Sequence, residues 1–330
     1  MSWLQRLWYR LSPWHVLLLP LSLLFGLLAA LRRGLYHSGL LSSFSLPVPV
    51  VVVGNIAVGG TGKTPLVLWL AQYLRERGYK PGIVSRGYGA SADSPREVNA
   101  DADPWLTGDE PLLMARRGIC PVWVGRDRVA AGLALLQVHP DCDVILCDDG
   151  LQHYRLRRDV EIAVVDGMRG CGNRLLLPAG PLREGVGRLR SVDAVVVNGG
   201  SAWPGYAMSL AGSAFRNLVD PSRTAVAAEF QGMKLHAVAG IGNPQRFFGY
   251  LRGLGLACTE HAFADHHPYR ADDLAFVGAD VVLMTEKDAV KCAAFAAANW
   301  WMLAVDAQVE NALGEKILEK LRKTDGRQTA

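Results

Sequence analysis

The sequence lacks the features that mark several common protein classes. Its six cysteines form no C-x-x-C pair and no series of short spacings, which argues against a disulfide scaffold and against a structural zinc site. Only 20% of its 330 residues are charged and 50% are apolar, which excludes a disordered tail, a collagen-like chain and a coiled coil. We therefore expect a globular protein, long enough for two domains, in a reducing compartment.

Acidic residues are absent before Glu76, so residues 1–75 carry a net charge of +6 and the rest of the chain sums to −2. The same region holds the most apolar stretch of the chain, Val16–Leu31, which has arginines on both flanks and aromatic residues before it. Such flanks are typical of a helix seated at the headgroup level of an anionic membrane surface. We therefore predict a membrane-associated helix within residues 1–35.

Two other interpretations of Val16–Leu31 stay open, a buried core helix and a cleaved secretory signal. The arginines after the apolar run and the lack of a clear small-x-small cleavage site argue against the signal. Sixteen helical residues reach only about 24 Å, which is short of a hydrocarbon core of about 30 Å. The sequence leaves open whether the segment spans the bilayer or only embeds in it.

Beyond this segment, short β-branched runs alternate with helical periods, which predicts a mostly parallel sheet covered by helices. The predicted strands are Pro47–Val53, Gly82–Ser85, Pro121–Val124, Asp143–Cys147, Glu161–Val165 and Val192–Val197. The predicted helices are Lys63–Arg77, Pro111–Arg117 and Asp127–Val138. After a looser region rich in Gly, Ser and Pro (198–221), a second series of strands is predicted at Leu235–Ala239, Val281–Met284 and Met302–Val305. We therefore predict a larger α/β domain at 36–215 and a smaller α/β domain at 216–330.

The strongest chemical signal is a glycine-rich turn between the strand that ends at Val53 and the next helix. It consists of Ala57, Val58, Gly59, Gly60, Thr61, Gly62, Lys63 and Thr64. In a phosphate-binding loop (P-loop), backbone N–H groups curl around a polyphosphate, the lysine neutralises it and the Thr hydroxyl ligates Mg²⁺. Ala57 replaces the usual first glycine, which its small Cβ allows. The turn predicts nucleotide binding and an α/β fold of the P-loop NTPase type, with helices on both faces of the sheet.

A P-loop needs a second anchor for Mg²⁺, usually an acid at the carboxyl end of an apolar strand. The strand Val144–Cys147 is followed by Asp148 and Asp149. Because neighbouring strand residues point to opposite faces, one carboxylate can face the metal while the other orients water or substrate. We favour Asp148, together with Thr64, for the metal, and the choice between the two carboxylates stays open. The alternative role for Asp149 is to start a turn with Gly150.

The nucleotide is expected to be ATP, because the guanine-recognition sequence N-K-x-D is absent where it would follow a late strand. Partitioning-type ATPases carry a signature lysine just before the two glycines of the loop, and Val58 occupies that position. The sequence therefore argues against a dimeric ATPase switch of that type.

Further charged residues follow predicted strands, where an open α/β sheet places its ligand crevice. These residues are Arg86, Asp109, Glu110, Arg126, Asp127, Arg128, Arg183 and Glu184. From spacing alone, Asp109 is interpreted more readily as a helix N-cap before a proline than as a catalytic group. The two arginines 126 and 128 fit a solvated face or contacts to phosphate equally well.

The sequence Asp265-His266-His267 does not predict a metal site, because three consecutive residues rarely converge on one ion. A histidine that is oriented by a carboxylate or lies near phosphate is favoured instead. The charged sequence Thr285–Lys291 also follows a predicted strand and so lies at a carboxyl edge of the sheet.

Taken together, these segments resemble the tetraacyldisaccharide 4'-kinase family of lipid A biosynthesis. After the apolar helix, the chain contains in order GNIAVGGTGKTP, SRGYG, GDEPLL, GRDR, DDGLQH, LLPAGPLRE, AGIGNP, FADHHPY and TEKDAVK. The resemblance covers residue 1 to about residue 306. It implies Mg²⁺-dependent transfer of the ATP γ-phosphoryl group to the 4'-hydroxyl of tetraacyldisaccharide 1-phosphate, which gives lipid IVA and ADP. It also implies that the smaller domain closes around the nucleotide.

The resemblance implies roles for individual residues. The catalytic base falls on Asp109 with His266 as its partner, although the neighbouring His267 leaves open which imidazole approaches the carboxylate. Lys63 and Thr64 would hold the phosphates, and Asp148 and Asp149 would serve Mg²⁺ and the substrate side. The expected catalytic residues are thus Asp109, His266, Asp149 and Lys63, and the expected substrate-binding residues are Arg86, Glu110, Arg128, Gln152 and His153.

The expected partner is the acylated disaccharide lipid in the membrane. Because each CH₂ exposed to water costs about 0.8 kcal/mol, a four-chain lipid cannot leave the bilayer cheaply and the enzyme must go to it. We expect a monomer at the cytoplasmic face of the bacterial inner membrane, without a nucleic-acid partner. Two other functions stay open, a membrane-bound ATPase switch and a kinase for a soluble sugar or nucleotide. Val58 argues against the first, and the apolar, acid-free N-terminal region argues against the second.

Overall fold

The structure is a computed structural model that describes residues 8–9, 13–87, 94–200 and 203–325. Tyr88 and Gly89 of the SRGYG sequence lie outside the described residues, as do 1–7, 10–12 and 326–330 of the predicted terminal segments.

The helices predicted at Lys63–Arg77, Pro111–Arg117 and Asp127–Val138 are present with similar bounds. The described helices are α1 (Trp14–His37), α2 (Lys63–Arg75), α3 (Pro104–Thr107), α4 (Asp109–Arg117), α5 (Arg128–Val138), α6 (Pro244–Gly253), α7 (Glu286–Cys292) and α8 (Asn311–Asp325). The strands are β1 (Val50–Gly54), β2 (Pro81–Ser85), β3 (Arg96–Glu97), β4 (Val122–Val124), β5 (Val144–Asp148), β6 (Val160–Asp166), β7 (Ala194–Asn198), β8 (Tyr206–Ala211), β9 (Ala214–Asn217), β10 (Thr224–Val226), β11 (Leu235–Ala239), β12 (Cys258–Ala262), β13 (Val281–Thr285), β14 (Trp300–Leu303) and β15 (Asp306–Val309). Short 3₁₀ turns lie at Val186–Arg190, Ala227–Phe230, Ala271–Leu274 and Ala293–Phe295.

Within the described ranges, nine strands form the larger sheet in the order β15-β8-β7-β6-β1-β5-β2-β4-β3. The strands from β8 to β4 pair in parallel, and the outer strands β15 and β3 pair antiparallel. The central strand β1 is a run of four valines and a glycine, all buried, as expected for a parallel strand covered on both faces.

The two faces of this sheet carry separate cores, which follow from the alternation of side chains along a strand. Val51 packs in one core with Leu70 of α2 and Ile317 of α8. Val52 packs in the other core with Leu135 of α5. The predicted α/β fold, with a mostly parallel sheet and helices on both faces, is confirmed.

A smaller mixed sheet follows, with six described strands in the order β10-β9-β14-β13-β11-β12. Strands β11 to β14 pair in parallel and carry α6 and α7 between them, whereas β9 and β10 pair antiparallel at one edge. The second, smaller α/β unit is therefore confirmed as well.

After β14 the chain returns to the larger sheet. β15 pairs with β8, and Leu313 and Ile317 of α8 lie in the same core as α2. The predicted range 216–330 places these residues in the smaller domain, whereas the structure places them with the larger sheet. We propose a discontinuous larger domain that combines 36–212 with 306–325, and a smaller domain at 213–305.

Helix α1 contacts the larger domain along one narrow face. Ser22 is 4% exposed, its hydroxyl donates to the Leu176 carbonyl (2.9 Å), and it accepts from the Ala179 N–H (2.9 Å). A Cβ at Gly26 would lie 2.5 Å from Leu176 Cδ1, so the glycine lets the Leu176 side chain pack closely against the helix. The opposite face exposes leucines such as Leu23 and Leu27 (72% and 66%). The helix is long and apolar enough to cross a membrane by length and composition.

Candidate active site

The P-loop lies between β1 and α2, with its backbone N–H groups at the amino end of a helix. Gly59 and Gly62 have φ angles of 118° and 96°, a conformation that residues with a Cβ rarely adopt. The Asn55 amide donates to the Gly59 carbonyl and to the Thr61 hydroxyl, both at 3.3 Å. The loop is therefore held in the shape that binds anions at a helix N-terminus.

The carboxyl end of β7 supports the same loop. Asn198, which is 2% exposed, donates its side-chain N–H to the Thr61 carbonyl at 2.8 Å. A Cβ at Gly62 would lie 2.3 Å from the Asn198 Nδ2 atom, so only glycine fits there. No motif in the sequence marks Asn198; its position directly after the predicted strand Val192–Val197 is the one local signal for it.

Asp148 and Asp149 lie next to the P-loop at the end of β5. Asp148 is fully buried, and its Oδ2 accepts from the Ser85 hydroxyl at 3.4 Å. Burial raises the pKa of Asp148, and the nearby carboxylate of Glu110 raises it further, against the effect of Lys63. A further cation near Asp148 would oppose this shift and favour the ionised carboxylate.

Asp149 has a left-handed backbone (φ 49°) and contacts two cations. Its carboxylate lies 3.4 Å from Lys63 Nζ and 3.2 Å from Arg183 Nη1. Burial acts to raise the pKa of Asp149, but Lys63 and Arg183 outweigh it and lower the pKa to about 2. Asp149 is therefore ionised and holds the P-loop lysine in place.

The residues predicted for Mg²⁺ fit such an ion. Among the described residues, the buried Asp148 Oδ1 has no hydrogen-bond partner, and no group of three or more His, Cys, Asp or Glu side chains forms a metal cluster. Mg²⁺ in nucleotide sites takes one or two carboxylates and completes its shell with phosphate oxygens and water. An unpartnered carboxylate oxygen at Asp148 is consistent with that mode.

Asp109 and His266 form a hydrogen-bonded pair across the two sheets. Asp109 opens α4 and is 6% exposed; the N-cap position of α4 is Gly108. His266 follows β12 in a left-handed conformation (φ 60°), and its Nδ1 lies 2.9 Å from Asp109 Oδ2 and 3.1 Å from Oδ1. The adjacent His267 contacts Asp273 instead (3.2 Å). The structure therefore pairs Asp109 with His266.

This pairing shifts the proton affinities of both groups. Burial acts to raise the pKa of Asp109, but the hydrogen bond from His266 and the charge of Lys287 outweigh it and leave the pKa below its ordinary value. The hydrogen bond to Asp109 raises the pKa of His266. Asp109 is therefore an ionised carboxylate at neutral pH, able to accept a proton.

The predicted catalytic residues line one cavity of about 360 Å³ at the junction of the two sheets. Its lining includes Lys63, Asp148, Asp149, Asp109 and His266, together with Gly59 and Gly60 of the P-loop and Arg86, Arg169, Arg183 and Gly242. The P-loop and the Asp109 carboxylate thus face the same space.

A second cavity of about 880 Å³ adjoins the first and reaches α1. It shares Arg86, Asp149 and Arg183 with the first cavity, and Phe25, Leu28, Ala29 and Arg32 of α1 form its outer side. Of the predicted substrate-binding residues, it contains Arg86, Arg128, Gln152 and His153. Glu110 does not line it, because its carboxylate pairs with Lys287 at 2.7 Å.

The second cavity is cationic at its inner end. Arg128 is 5% exposed, and its hydrogen-bond partners in the described chain are the carbonyls of Arg126 and Asp149 (3.1 and 3.5 Å). Burial and the charge of Arg128 lower the pKa of His153 to about 4, so this imidazole is neutral. The Gln152 amide is oriented by the Asn55 carbonyl and by Glu184 (3.0 and 2.9 Å). A buried arginine beside neutral hydrogen-bonding groups favours an anionic, polyhydroxylated ligand.

Arg32, Arg183 and Glu184 also line the second cavity, and the sequence assigned none of them a role in binding. Arg183 and Glu184 belong to the LLPAGPLRE sequence, whose charged end was the available signal. Arg32 lines the cavity because α1 packs against the larger domain. The periodicity of apolar residues in the sequence does not predict this packing.

The fold and the site are those of a P-loop kinase. An enzyme of this class holds a polyphosphate and accepts a proton from an alcohol in the same cavity. A family model described as tetraacyldisaccharide-1-P 4'-kinase (LpxK) matches residues 14–322, and the chain belongs to this family. It is therefore a kinase, a phosphotransferase with a role in lipid A biosynthesis.

Curated relatives match over nearly the whole chain. A tetraacyldisaccharide 4'-kinase of Azoarcus sp. (strain BH72) is 56% identical over 322 residues, which cover 96% of this chain and 94% of the relative. One from Methylobacillus flagellatus is 52% identical over 320 residues, covering 97% and 96%. The crystal structure of LpxK from Aquifex aeolicus in complex with ATP is 30% identical, with a TM-score of 0.77 over 93% of this chain and 99% of that chain.

Proposed function

We propose that this enzyme transfers the γ-phosphoryl group of ATP to the 4'-hydroxyl of tetraacyldisaccharide 1-phosphate, which gives lipid IVA and ADP. The observation that carries the proposal is the position of the Asp109–His266 pair, which faces Lys63 and the P-loop glycines in one cavity. A pure ATPase switch needs no base aimed at an acceptor alcohol. A kinase does, because the hydroxyl loses its proton as the new P–O bond forms.

In the proposed reaction, the P-loop N–H groups and Lys63 bind the triphosphate and stabilise the charge of the transferring group. Lys63 is held by Asp149 at 3.4 Å, so phosphate oxygens would share the ammonium with that carboxylate. Asp109 takes the proton of the 4'-hydroxyl, and His266 orients the carboxylate through its Nδ1. Asp148 and Thr64 would hold Mg²⁺, which neutralises phosphate oxygens when it is bound.

The second cavity is the proposed site of the disaccharide headgroup. Arg86, Arg128 and Arg183 provide positive charge for an anionic sugar, and Gln152 and His153 provide neutral hydrogen-bonding groups. The cavity opens at α1, whose outer face exposes leucines. We propose that α1 associates with the cytoplasmic leaflet of the inner membrane, where ATP is available, and that one chain acts as a monomer.

The test is an assay with Mg²⁺, radiolabelled ATP and a panel of acceptors in mixed micelles. The panel contains tetraacylated, partly acylated and deacylated disaccharide 1-phosphates and a free sugar. We expect label on the tetraacylated lipid and, after mild hydrolysis, at its 4' position. Phosphate release without a labelled acceptor would support an ATPase switch instead, and equal labelling of a soluble sugar would contradict the lipid assignment.

A further inference from the structure

Lys287 lies at the start of α7, on the smaller sheet, and its side chain crosses to α4 of the larger domain. Its ammonium group lies 2.7 Å from Glu110 Oε1 and 3.3 Å from Asp265 Oδ1. The side chain is 16% exposed. A buried ammonium with two carboxylate acceptors is fixed in position more firmly than an exposed lysine.

The two acceptors are sequence neighbours of the two residues in the catalytic pair. Glu110 directly follows Asp109, and Asp265 directly precedes His266. The Lys287 ammonium therefore joins the two backbone segments that carry the base and its histidine. Since the Asp109 and His266 segments belong to different sheets, ion pairs that connect both segments to Lys287 help to fix the distance between them.

The same ammonium also determines which nitrogen of His266 carries the proton. Lys287 Nζ lies 3.4 Å from His266 Nε2, and a charged lysine can only donate hydrogen bonds. The Lys287 ammonium lies closer to Nε2 than the Asp265 carboxylate does (3.8 Å) and favours an unprotonated Nε2 as its acceptor, so the proton of the neutral imidazole lies on Nδ1. Nδ1 is the nitrogen that contacts Asp109 at 2.9 Å, and the Nδ1–H tautomer donates to that carboxylate.

We propose that Lys287 is a positioning residue for the reaction, which aligns Asp109 with His266 and fixes His266 as the Nδ1–H tautomer. This inference rests on the proposed role of Asp109 as the base. It goes beyond that role because it assigns a function to a side chain that lies outside the P-loop sequence and does not line the headgroup cavity.

The charges around Asp109 determine how loss of Lys287 would act. His266 and Lys287 face the carboxylate from the smaller sheet, Lys291 of α7 acts from farther away, and Glu110 lies beside it on α4. The Lys287 ammonium lies 3.9 Å from Asp109 Oδ2 and lowers the pKa of both Asp109 and His266. Removing this cation would make the pair more basic, so the acidic limb of the pH profile would move to higher pH.

The experiment compares steady-state kinetics of Lys287→Met and Lys287→Arg with wild type between pH 5 and 9. We expect Lys287→Met to lower kcat at least tenfold, to change the KM for ATP less than threefold, and to move the acidic limb of kcat/KM upward by about half a unit or more. Lys287→Arg keeps the charge and should leave the acidic limb in place. A kcat within twofold of wild type, or a loss of kcat with an unmoved acidic limb, overturns the proposal.

Arg117→Met is the matched control for a merely structural contact. Arg117 also joins α4 to α7, through Glu286 at 2.7 Å, and it contacts Asp306 at 2.9 Å. None of these contacts involves Asp109 or His266. This variant should weaken the interface without moving the acidic limb. If Arg117→Met and Lys287→Met show the same profile, Lys287 only holds the two helices together and the proposal fails.

A measurement on the wild-type enzyme keeps the test independent of variant folding. In protein labelled with ¹⁵N-histidine at high pH, the His266 resonances, assigned by their loss in His266→Gln, should show a protonated Nδ1 and an unprotonated Nε2. The opposite tautomer contradicts the proposal. Failure of the proposed base gives a different result from failure of this proposal. If Asp109→Ala keeps a near-normal kcat, Asp109 is not the base. If Asp109→Ala is inactive but Lys287→Met is normal, Asp109 keeps its role and Lys287 has none.

Discussion

At the scale of single residues, two carboxylates that are neighbours in the sequence have pKa values shifted in opposite directions. Burial raises the pKa of Asp148, whereas Lys63 and Arg183 bring the pKa of Asp149 down to about 2. The left-handed backbone of Asp149 turns its side chain toward these cations. Asp149 is therefore paired with two cationic side chains, whereas burial dominates at Asp148.

The ion pairs of Asp149 predict a pH-dependent contribution to stability. The pKa is lowered from its ordinary 3.8 to about 2, so the stabilisation is present above pH 3.8 and is lost as the pH falls through 2; its size is about 2 kcal/mol. In denaturant unfolding, Asp149→Asn should be less stable than wild type by this order at pH 6, with a difference that shrinks toward pH 2. Asp141→Asn, at an exposed pair with Lys80, is the control and should show little difference at any pH. A constant Asp149→Asn difference across this range would contradict the ion-pair origin.

Replacing Asp109 tests the proposed base directly. We expect Asp109→Ala to lower kcat by about 10²–10⁴-fold, the range for loss of a general base, with little change in ATP affinity because Asp109 does not belong to the P-loop. The control is Asp103→Ala, which removes the cap that accepts from the Trp105 N–H and should lower stability without a comparable loss of kcat. A loss of tenfold or less in Asp109→Ala would remove Asp109 from this role.

The sequence identified most of the site residues but not their contacts. The glycines and Lys63 of the P-loop and the carboxylates after β5 follow local patterns, so they could be found from spacing alone. Arg183, Asn198 and Lys287 act through partners that are far away in the chain, such as Asp149 and Thr61, and no local pattern reports such contacts. The choice between His266 and His267 depends on the left-handed turn at His266, which the sequence did not indicate.

At the scale of elements, the apolar helix α1 has two different faces. A narrow face with Ser22 and Gly26 contacts the larger domain, and a wide face of leucines contacts no part of the described protein closely enough to be buried. Small and polar residues on one face and leucines on the other are the arrangement of a helix that packs on protein and on lipid at once.

Charges on the wide face of α1 should release the enzyme from membranes. We expect the double variant Leu23→Glu, Leu27→Glu to partition to anionic vesicles at least tenfold less than wild type, because each buried leucine contributes about 1.5–3 kcal/mol. The reaction on the lipid should slow, while ATP binding stays unchanged. Vesicle flotation and nucleotide titration measure the two effects. Leu133→Glu is the control, since Leu133 of α5 is also exposed (49%). Unchanged flotation would show that this face does not meet the bilayer.

Elements with a clear hydrophobic pattern were predictable, and edge elements were not. β1 and β5 are buried and β11 is buried except at His236, and all three consist mostly of apolar residues, so their local sequence was sufficient to predict them. β8 is only partly buried and lies in a region rich in Gly, Ser and Pro, and its pairing is supplied by β7 and β15. Strands of this kind are determined by non-local pairing more than by their own sequence.

At the scale of the whole molecule, the two sheets meet at the P-loop. The Arg169 guanidinium donates to the Gly242 carbonyl at 2.7 Å, and Arg246 pairs with Asp166 at 2.9 Å. A cavity of about 390 Å³, lined by Gly60, Thr64, Phe247 and Leu303 among others, lies between the sheets on the other side of the loop. The smaller domain therefore touches the nucleotide loop directly.

Gly242 tests this junction. A Cβ at position 242 would lie 2.4 Å from the Gly60 nitrogen, so Gly242→Ala should displace the smaller domain from the P-loop and raise the KM for ATP about fivefold or more, the cost of roughly 1 kcal/mol of lost alignment. The control is Gly253→Ala at the end of α6, where a Cβ would meet nothing within 4 Å. Equal KM values for the two variants would show that close approach at Gly242 is not needed.

Asp109 and His266 come from different sheets and lie 157 positions apart in the chain. Neither half of the molecule contains both members of the proposed acid–base pair, so we expect separated halves to be inactive however well each one folds. A compound that bound between the two sheets and increased their separation by a few ångströms would also be expected to abolish activity, without contacting Asp109 or His266.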